Sequence, residues 1–251
     1  MNHLRQIYDK HVGIGPTGIQ YLDQQRTIEN ERPDRFIVSL DIGKHQDYSF
    51  RSINDLHLAD RVLRGRTTYG PMLEIQRKPI RMHRFVDLHR YQIGMSYPDL
   101  IRSIGDVLER LPGRPHPPQL VVDGTGVGQP VVDSLTEQGL RPFSVVITAG
   151  LDVTNSTGRS ANVPKAILAS TMDAALADGR VSFVSDTPGS EILKAELMAF
   201  RVKTRSTGSV SYEALKSSDH DDGVLSVMLS IWFGQNIQQP ARLTYIQKTR
   251  D

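Results

Sequence analysis

The chain has 251 residues, 38% of them hydrophobic and 23% charged, with a net charge of +2 and no cysteine. That length can bury a sizeable core, and the composition is that of an ordinary globular protein. Disulfides and thiolate metal sites are excluded, no apolar run approaches the roughly 20 residues of a membrane span, and no secretory signal opens the chain, so the cytoplasm is the expected compartment.

Residues 1–35 are polar and weakly patterned, and they read as an arm or linker with one short helix near Leu4–Tyr8. A globular domain is expected over 36–235, followed by a tail at 236–251. It opens with FIVSL (36–40), a continuous apolar run of the kind buried on both faces of a sheet, ended by Asp41-Ile42-Gly43. Further strands are expected at 48–58 and 82–92. Between Arg61 and Arg84 stand seven basic residues, Arg77, Lys78 and Arg81 among them, against the single acid Glu74. This stretch admits two readings, a surface that holds phosphates and a solvated, irregular excursion.

Leu100, Ile101, Ile104, Val107, Leu108 and Leu111 mark one face of a helix stopped by Pro112-Gly113. LVV (120–122) is a short strand ending at Asp123, and Val127, Val131, Val132 and Leu135 form the next helical stripe. FSVVI (143–147) and Val181–Val184 read as strands, with a helix from Pro164 to Gly179 between them and another through Ile192, Leu193, Leu197 and Phe200. A hairpin is expected over 201–214, turning at Ser206-Thr207-Gly208. His220-Asp221-Asp222 then opens a very apolar helix. Strands that cluster and then alternate with helices predict an α/β layer structure with a mixed sheet.

DGTGVG (123–128) invites a nucleotide reading, but the spacing does not fit one. The dinucleotide fingerprint G-x-G-x-x-G has Gln129 where its third glycine belongs, and no Gly-Lys-Ser/Thr triplet of a Walker A loop occurs. The carboxylates are the better lead. Asp41 and Asp123 each follow an apolar run and precede a glycine turn, so parallel pairing would bring both to one carboxyl edge of the sheet, where α/β folds place their sites. Asp before Gly is also common turn chemistry, and Asp is a favoured helix N-cap. Hard oxygen ligands from Asp41, Asp123 and Asp221 or Asp222 would suit Mg²⁺ or Mn²⁺.

With FIVSLDIGKHQDYS (36–49), LVVDGTGVGQPVVDSL (120–135), VPKAIL (163–168), ELMAFRVK (196–203) and HDDGVLSVMLSIW (220–232) in this order, the chain resembles the C-terminal nuclease domain of phage large terminase subunits. The resemblance covers about residues 35–235. It implies an RNase H-like fold with a five-stranded mixed sheet flanked by helices, and an endonuclease that cuts duplex DNA during phage packaging. By motif match Asp41 and Asp123 take the places of the first two metal-binding acids, and Asp221 and Asp222 cover the last. Asp47 and His220 fall beside the ligands, and Lys165 matches a lysine that faces DNA or simply an exposed first-turn lysine. Arg201, Lys203 and Arg205, with Arg77, Lys78 and Arg81, are the expected contacts to the DNA backbone.

The expected mechanism uses two ions about 3.5–4 Å apart when DNA is bound, with little sequence preference. The implied partners are double-stranded DNA, a terminase ATPase domain, a small terminase subunit and a portal, and no membrane. The large terminases also carry an ATPase motor; these residues contain no Walker A loop, so translocation is not expected of this chain, which reads as an excised domain or a stand-alone relative. The last helix departs from the family in having glycine after the two acids. A junction resolvase of the same fold, an actin- or sugar-kinase-like ATP-binding protein and a non-catalytic DNA-binding module are the alternatives.

Overall fold

FIVSL, apolar but for Ser39, and LVV are both buried between two layers of helices. A computed structural model of the chain describes residues 7–9, 13–14, 20–43, 47–67, 72–204, 210–214 and 220–236. Its strands are β1 (Ile7–Asp9), β2 (Gly13–Ile14), β3 (Gln20–Asp41), β4 (Phe50–Thr67), β5 (Met72–Arg90), β6 (Gln119–Asp123), β7 (Phe143–Thr148), β8 (Thr154–Thr157), β9 (Ser160–Pro164), β10 (Val181–Phe183), β11 (Phe200–Thr204) and β12 (Val210–Ala214). The helices are α1 (Tyr97–Arg110), α2 (Gly128–Glu137), α3 (Lys165–Ala177), α4 (Pro188–Ala199) and α5 (Asp222–Asn236).

The central order is β5-β4-β3-β6-β7, with β3 antiparallel to β4, β4 antiparallel to β5, and β3, β6 and β7 parallel. Side chains alternate across this sheet. Ile37 and Val121 point into a core built with α3, α4 and α5, while Val38, Leu40, Leu120 and Val122 point into a second core under α1 and α2. Burial on both faces is why these runs carry no polar alternation.

The five strands expected become ten. β10 adds to β5 in parallel, β9 and β8 extend the β7 side, and β1 and β2 pair with β3. The β8–β9 hairpin was hidden because TNSTGRSANVP is polar and reads as loop. Ile7–Asp9 is strand where a helix was expected over 4–8, and Leu4 to Gln6 lie outside the described residues.

Of the two readings of the basic stretch between 58 and 82, the irregular excursion does not hold where the chain is described. β4 and β5 run through it as one long hairpin, and β3 starts at Gln20 to pair along it. Register shifts at Glu29/Arg32, Pro33/Arg35 and Leu63/Arg64 break the two-residue period, which conceals strands in the sequence. Cross-strand ion pairs, Arg84 with Glu31 at 2.7 Å and Arg77 with Glu29 at 3.3 Å, line this extension. The hairpin expected over 201–214 is present as β11 and β12, with its turn outside the described residues.

Candidate active site

β3 and β6 run parallel to a last registered pair, Leu40 with Val122. Asp41 and Asp123 come next on their strands and so leave the sheet side by side at its carboxyl edge. The loop after Asp123 is turned on itself. Gly124 N–H donates to the Val145 carbonyl at 2.9 Å, Thr125 N–H to Asp123 Oδ1 at 2.8 Å, and Gly128 N–H to the Thr125 carbonyl at 3.1 Å. Those three amides are satisfied internally, so the loop offers no such cradle to a phosphate. A Cβ at Gly128 would lie 1.8 Å from the Asp123 carbonyl oxygen, and only glycine lets α2 start this close to the strand.

The other acids reach the same edge from α5. Ser226, one turn into that helix, donates to the Ser39 carbonyl at 3.1 Å and lies 3.0 Å from the Ser52 hydroxyl, which fixes the helix over β3 and β4. Asp221 precedes α5 and accepts from Lys165 Nζ at 2.7 Å. Lys165 is there because Pro164 ends β9 beside Thr148 of β7 and starts α3 at this edge. Asp222 opens α5, and its Oδ2 is buried without a hydrogen-bond partner. The His220 ring nitrogen is 3.7 Å from that oxygen, and the ring packs edge-on to Tyr48 at 5.1 Å. Asp47 is exposed on the neighbouring loop, where with Gly43, Ser49 and Gln92 it lines a cleft of about 180 Å³.

Carboxylates packed this closely destabilise one another's charge. Asp41 is raised well above the ordinary carboxylate value, first by burial and then by Asp123, Asp222 and Asp221. Asp123 is raised by burial, against the opposing hydrogen bonds from Thr125. Asp222 is pushed up to about 7 by burial, then by Glu196 and Asp221. This excess of acids, together with the unpartnered oxygen of Asp222, is the donor set a hard divalent cation satisfies. Among the described residues no group of three or more His, Cys, Asp or Glu side chains is arranged to hold an ion as it stands. Asp41, Asp123, Asp221 and Asp222 are the acids whose charges act on one another at this edge.

The remaining expected residues are placed elsewhere or outside the description. Phe50 pairs with both Asp41 and Arg90, whereas Arg81, Lys78 and Arg77 pair with Leu58, Arg61 and Val62. At about 3.3 Å per residue they lie roughly 25–40 Å along the strands from the acids. Arg81 donates to the Gln235 carbonyl at 2.9 Å, and Arg77 pairs with Glu29. The backbone of Arg201 and Lys203 belongs to β11, and Arg205 lies outside the described residues. Two site neighbours escaped the sequence reading. Glu196 of α4 accepts from the Gly223 and Val224 amides and from Arg90. The signal was a charged residue set among Ile192, Leu193, Leu197 and Phe200 on the apolar stripe.

No protein-family model matches the sequence, and no curated protein matches it. Solved structures do. The large terminase nuclease from thermophilic phage G20c with bound magnesium superposes with a TM-score of 0.52 and 22% identity, over 82% of this chain and 86% of that one. The same nuclease with bound cobalt gives a TM-score of 0.53 and 21% identity over the same shares. At these identities the likeness is one of fold: the mixed sheet flanked by helices is the architecture this chain shares with the large terminase nuclease.

Proposed function

We propose that this chain is a metal-dependent endonuclease that hydrolyses phosphodiester bonds of duplex DNA, in the manner of a phage packaging terminase. The observation that carries the reading is the convergence of Asp41, Asp123, Asp221 and Asp222 at one sheet edge, with Lys165 as the cation drawn to them. The G20c structures that share the fold are of a nuclease and contain magnesium or cobalt, which agrees with such a site.

In this reading Asp41, Asp123 and the Asp221–Asp222 pair hold two Mg²⁺ or Mn²⁺ ions when DNA is bound. Divalent ions so held supply Lewis-acid activation of water and stabilise the attacking and leaving oxygens. The chain's own residues set up that chemistry. Thr125 N–H fixes one oxygen of Asp123, leaving the other for a ligand. Lys165 holds Asp221 at the rim and offers positive charge to a backbone phosphate. Asp47 and His220 stand at the margin of the acids, Asp47 on the exposed loop and His220 with its ring nitrogen 3.7 Å from Asp222. Arg201, Lys203 and Arg205 add backbone contacts, and the basic residues of the β4–β5 hairpin meet DNA only away from the cut. Contacts to the backbone carry no base information, so cleavage has little sequence preference.

The domain assigned to this activity is 36–235. Its partners are duplex DNA, a terminase ATPase motor, a small terminase subunit and a portal, in the host cytoplasm. None of the described helices is long and apolar enough to cross a membrane. The test is plasmid cleavage with Mg²⁺ or Mn²⁺, with and without chelator. Nicking and linearisation that need the metal and vanish in Asp41→Asn are expected. Metal-independent cleavage, or full activity in that variant, would sink the proposal.

A further inference from the structure

Glu196 is a buried acid beside the candidate ligands that none of the roles above employs. Its position on α4 faces the core, and the side chain reaches the first turn of α5. Oε2 accepts from Gly223 N–H at 2.8 Å and from Val224 N–H at 3.1 Å, and Oε1 accepts from Arg90 at 2.5 Å. Both oxygens are thus engaged by protein donors, which separates Glu196 from the four acids that face the edge.

The first amides of a helix have no partner within it, and the residue at its start ordinarily caps them with its own side chain. α5 begins with residues well suited to that task, Asp221 and Asp222. They do not perform it. Asp221 is turned to Lys165 at 2.7 Å, and Asp222 keeps an oxygen with no hydrogen bond. The capping is done instead from another helix, by Glu196. Gly223 makes room for it: a Cβ there would stand 2.8 Å from Glu196 Oε2 and 3.1–3.2 Å from the Phe50 ring. The glycine after the two acids, unusual against the family pattern, has its reason in this contact. Arg90 completes the assembly, with its guanidinium 4.4 Å over the Tyr48 ring, which also makes the edge-on contact with His220.

We propose that Glu196 is a positioning residue that caps α5 in trans, and that this frees the Asp221 and Asp222 carboxylates to bind a divalent cation. The inference rests on the metal-dependent reading above. Reach is what matters, more than charge. Glu196→Gln keeps an acceptor oxygen opposite the two amides, whereas Glu196→Asp keeps the charge and withdraws it by one methylene. Gly223→Ala pushes the carboxylate away by another route.

The experiment is titration of Mn²⁺ at pH 8 by calorimetry and electron paramagnetic resonance, alongside the Mg²⁺ concentration that half-saturates plasmid nicking. Glu196→Gln is expected to stay within about 3-fold of the parent. Glu196→Asp and Gly223→Ala are each expected to bind Mn²⁺ about 10-fold or more weakly, the usual scale for losing the support behind a ligand. DNA affinity measured without metal should not change. Parent-like binding in both Glu196→Asp and Gly223→Ala, or greater loss in Glu196→Gln than in Glu196→Asp, overturns the cap. If the parent protein itself neither binds Mn²⁺ nor cuts DNA, the metal-dependent reading falls, and the cap proposal falls with it.

Discussion

Asp41 and Asp123 leave the ends of two parallel strands side by side, one residue beyond the registered pair of Leu40 and Val122, and burial together with the Asp123 carboxylate raises Asp41 well above the ordinary carboxylate value. Two buried acids in contact cannot both carry full charge without a cation between them. Asn at position 41 imitates the protonated acid in shape. Asp41→Asn is therefore expected to fold, to melt a few °C above the parent when both are metal-free, and to cut DNA about 1000-fold more slowly or worse. Asp123→Asn should lose activity similarly but gain less stability, because it also weakens the acceptor for Thr125 N–H. Thermal melting beside plasmid cleavage checks both. Loss of activity with loss of the fold would mean a structural role.

On the metal-dependent reading, protons and metal compete for the same edge. Asp222 is raised from the ordinary value of 3.8 to about 7, so the folded protein holds a proton there that the unfolded chain releases. Its contribution to metal-free stability is complete below 3.8 and is lost as pH rises toward 7. Divalent binding reverses the slope, because the cation needs the carboxylate. Between pH 7 and 6 the apparent Mg²⁺ affinity should fall by about 5-fold through Asp222, which is half protonated at pH 7. Melting temperature measured against pH, with and without Mg²⁺, should show the stabilisation by metal growing toward pH 8. In Asp222→Asn this growth should shrink, the share owed to Asp41 remaining.

The central sheet and the acids at its edge were legible because burial on both faces writes itself as continuous apolar runs, FIVSL and LVV, each stopped by Asp. The helices were legible from their stripes. What the sequence concealed was a matter of partners. The three-stranded extension of β3, β4 and β5 is polar and bulged, so its strand character comes from hydrogen bonds to neighbours rather than from a period in the residues. The cluster of basic residues is visible in sequence, yet its distance from Asp41 follows only from the register. Glu196 is in the sequence as an oddity on an apolar face, and its meaning needs α5 beside it.

The glycine loop allows a sharp test of what its glycines do. If they served a phosphate, alanine at Gly128 would harm ligand binding and spare the fold. The structure points to packing, since the added Cβ would meet the Asp123 carbonyl oxygen at 1.8 Å. Either α2 or the end of β6 must shift, and overpacking of this kind costs about 2–3 kcal/mol, or roughly 5–10 °C in a domain of this size. Gly128→Ala should therefore melt early and lose metal binding through displacement of Asp123. Unchanged melting would show that the close approach carries no weight.

A second titrating group lies far from the acids and pulls the pH profile the other way. His83 on β5 is fully buried, its ring held between the amides of Asn54 at 2.9 Å and Gln235 at 2.8 Å. Burial, aided by Arg180 and Arg81, lowers it to about 3. The folded protein therefore refuses a proton that the unfolded chain accepts near 6.5. The stability this gives is complete above 6.5 and is lost as pH falls through the window toward 3. Metal-free protein should thus lose stability on acidification below 6.5 through His83 while gaining it through Asp222, and the two slopes partly cancel. Substitution separates them. Asp222→Asn should expose a steeper acid loss, measured by chemical denaturation from pH 7.5 to 4.5. Adding His83→Gln, which keeps a polar group between the two amides but does not titrate, should flatten that loss, at some cost in overall stability from imperfect packing. A double variant whose stability still falls as steeply with acid would place the responsible proton on another group.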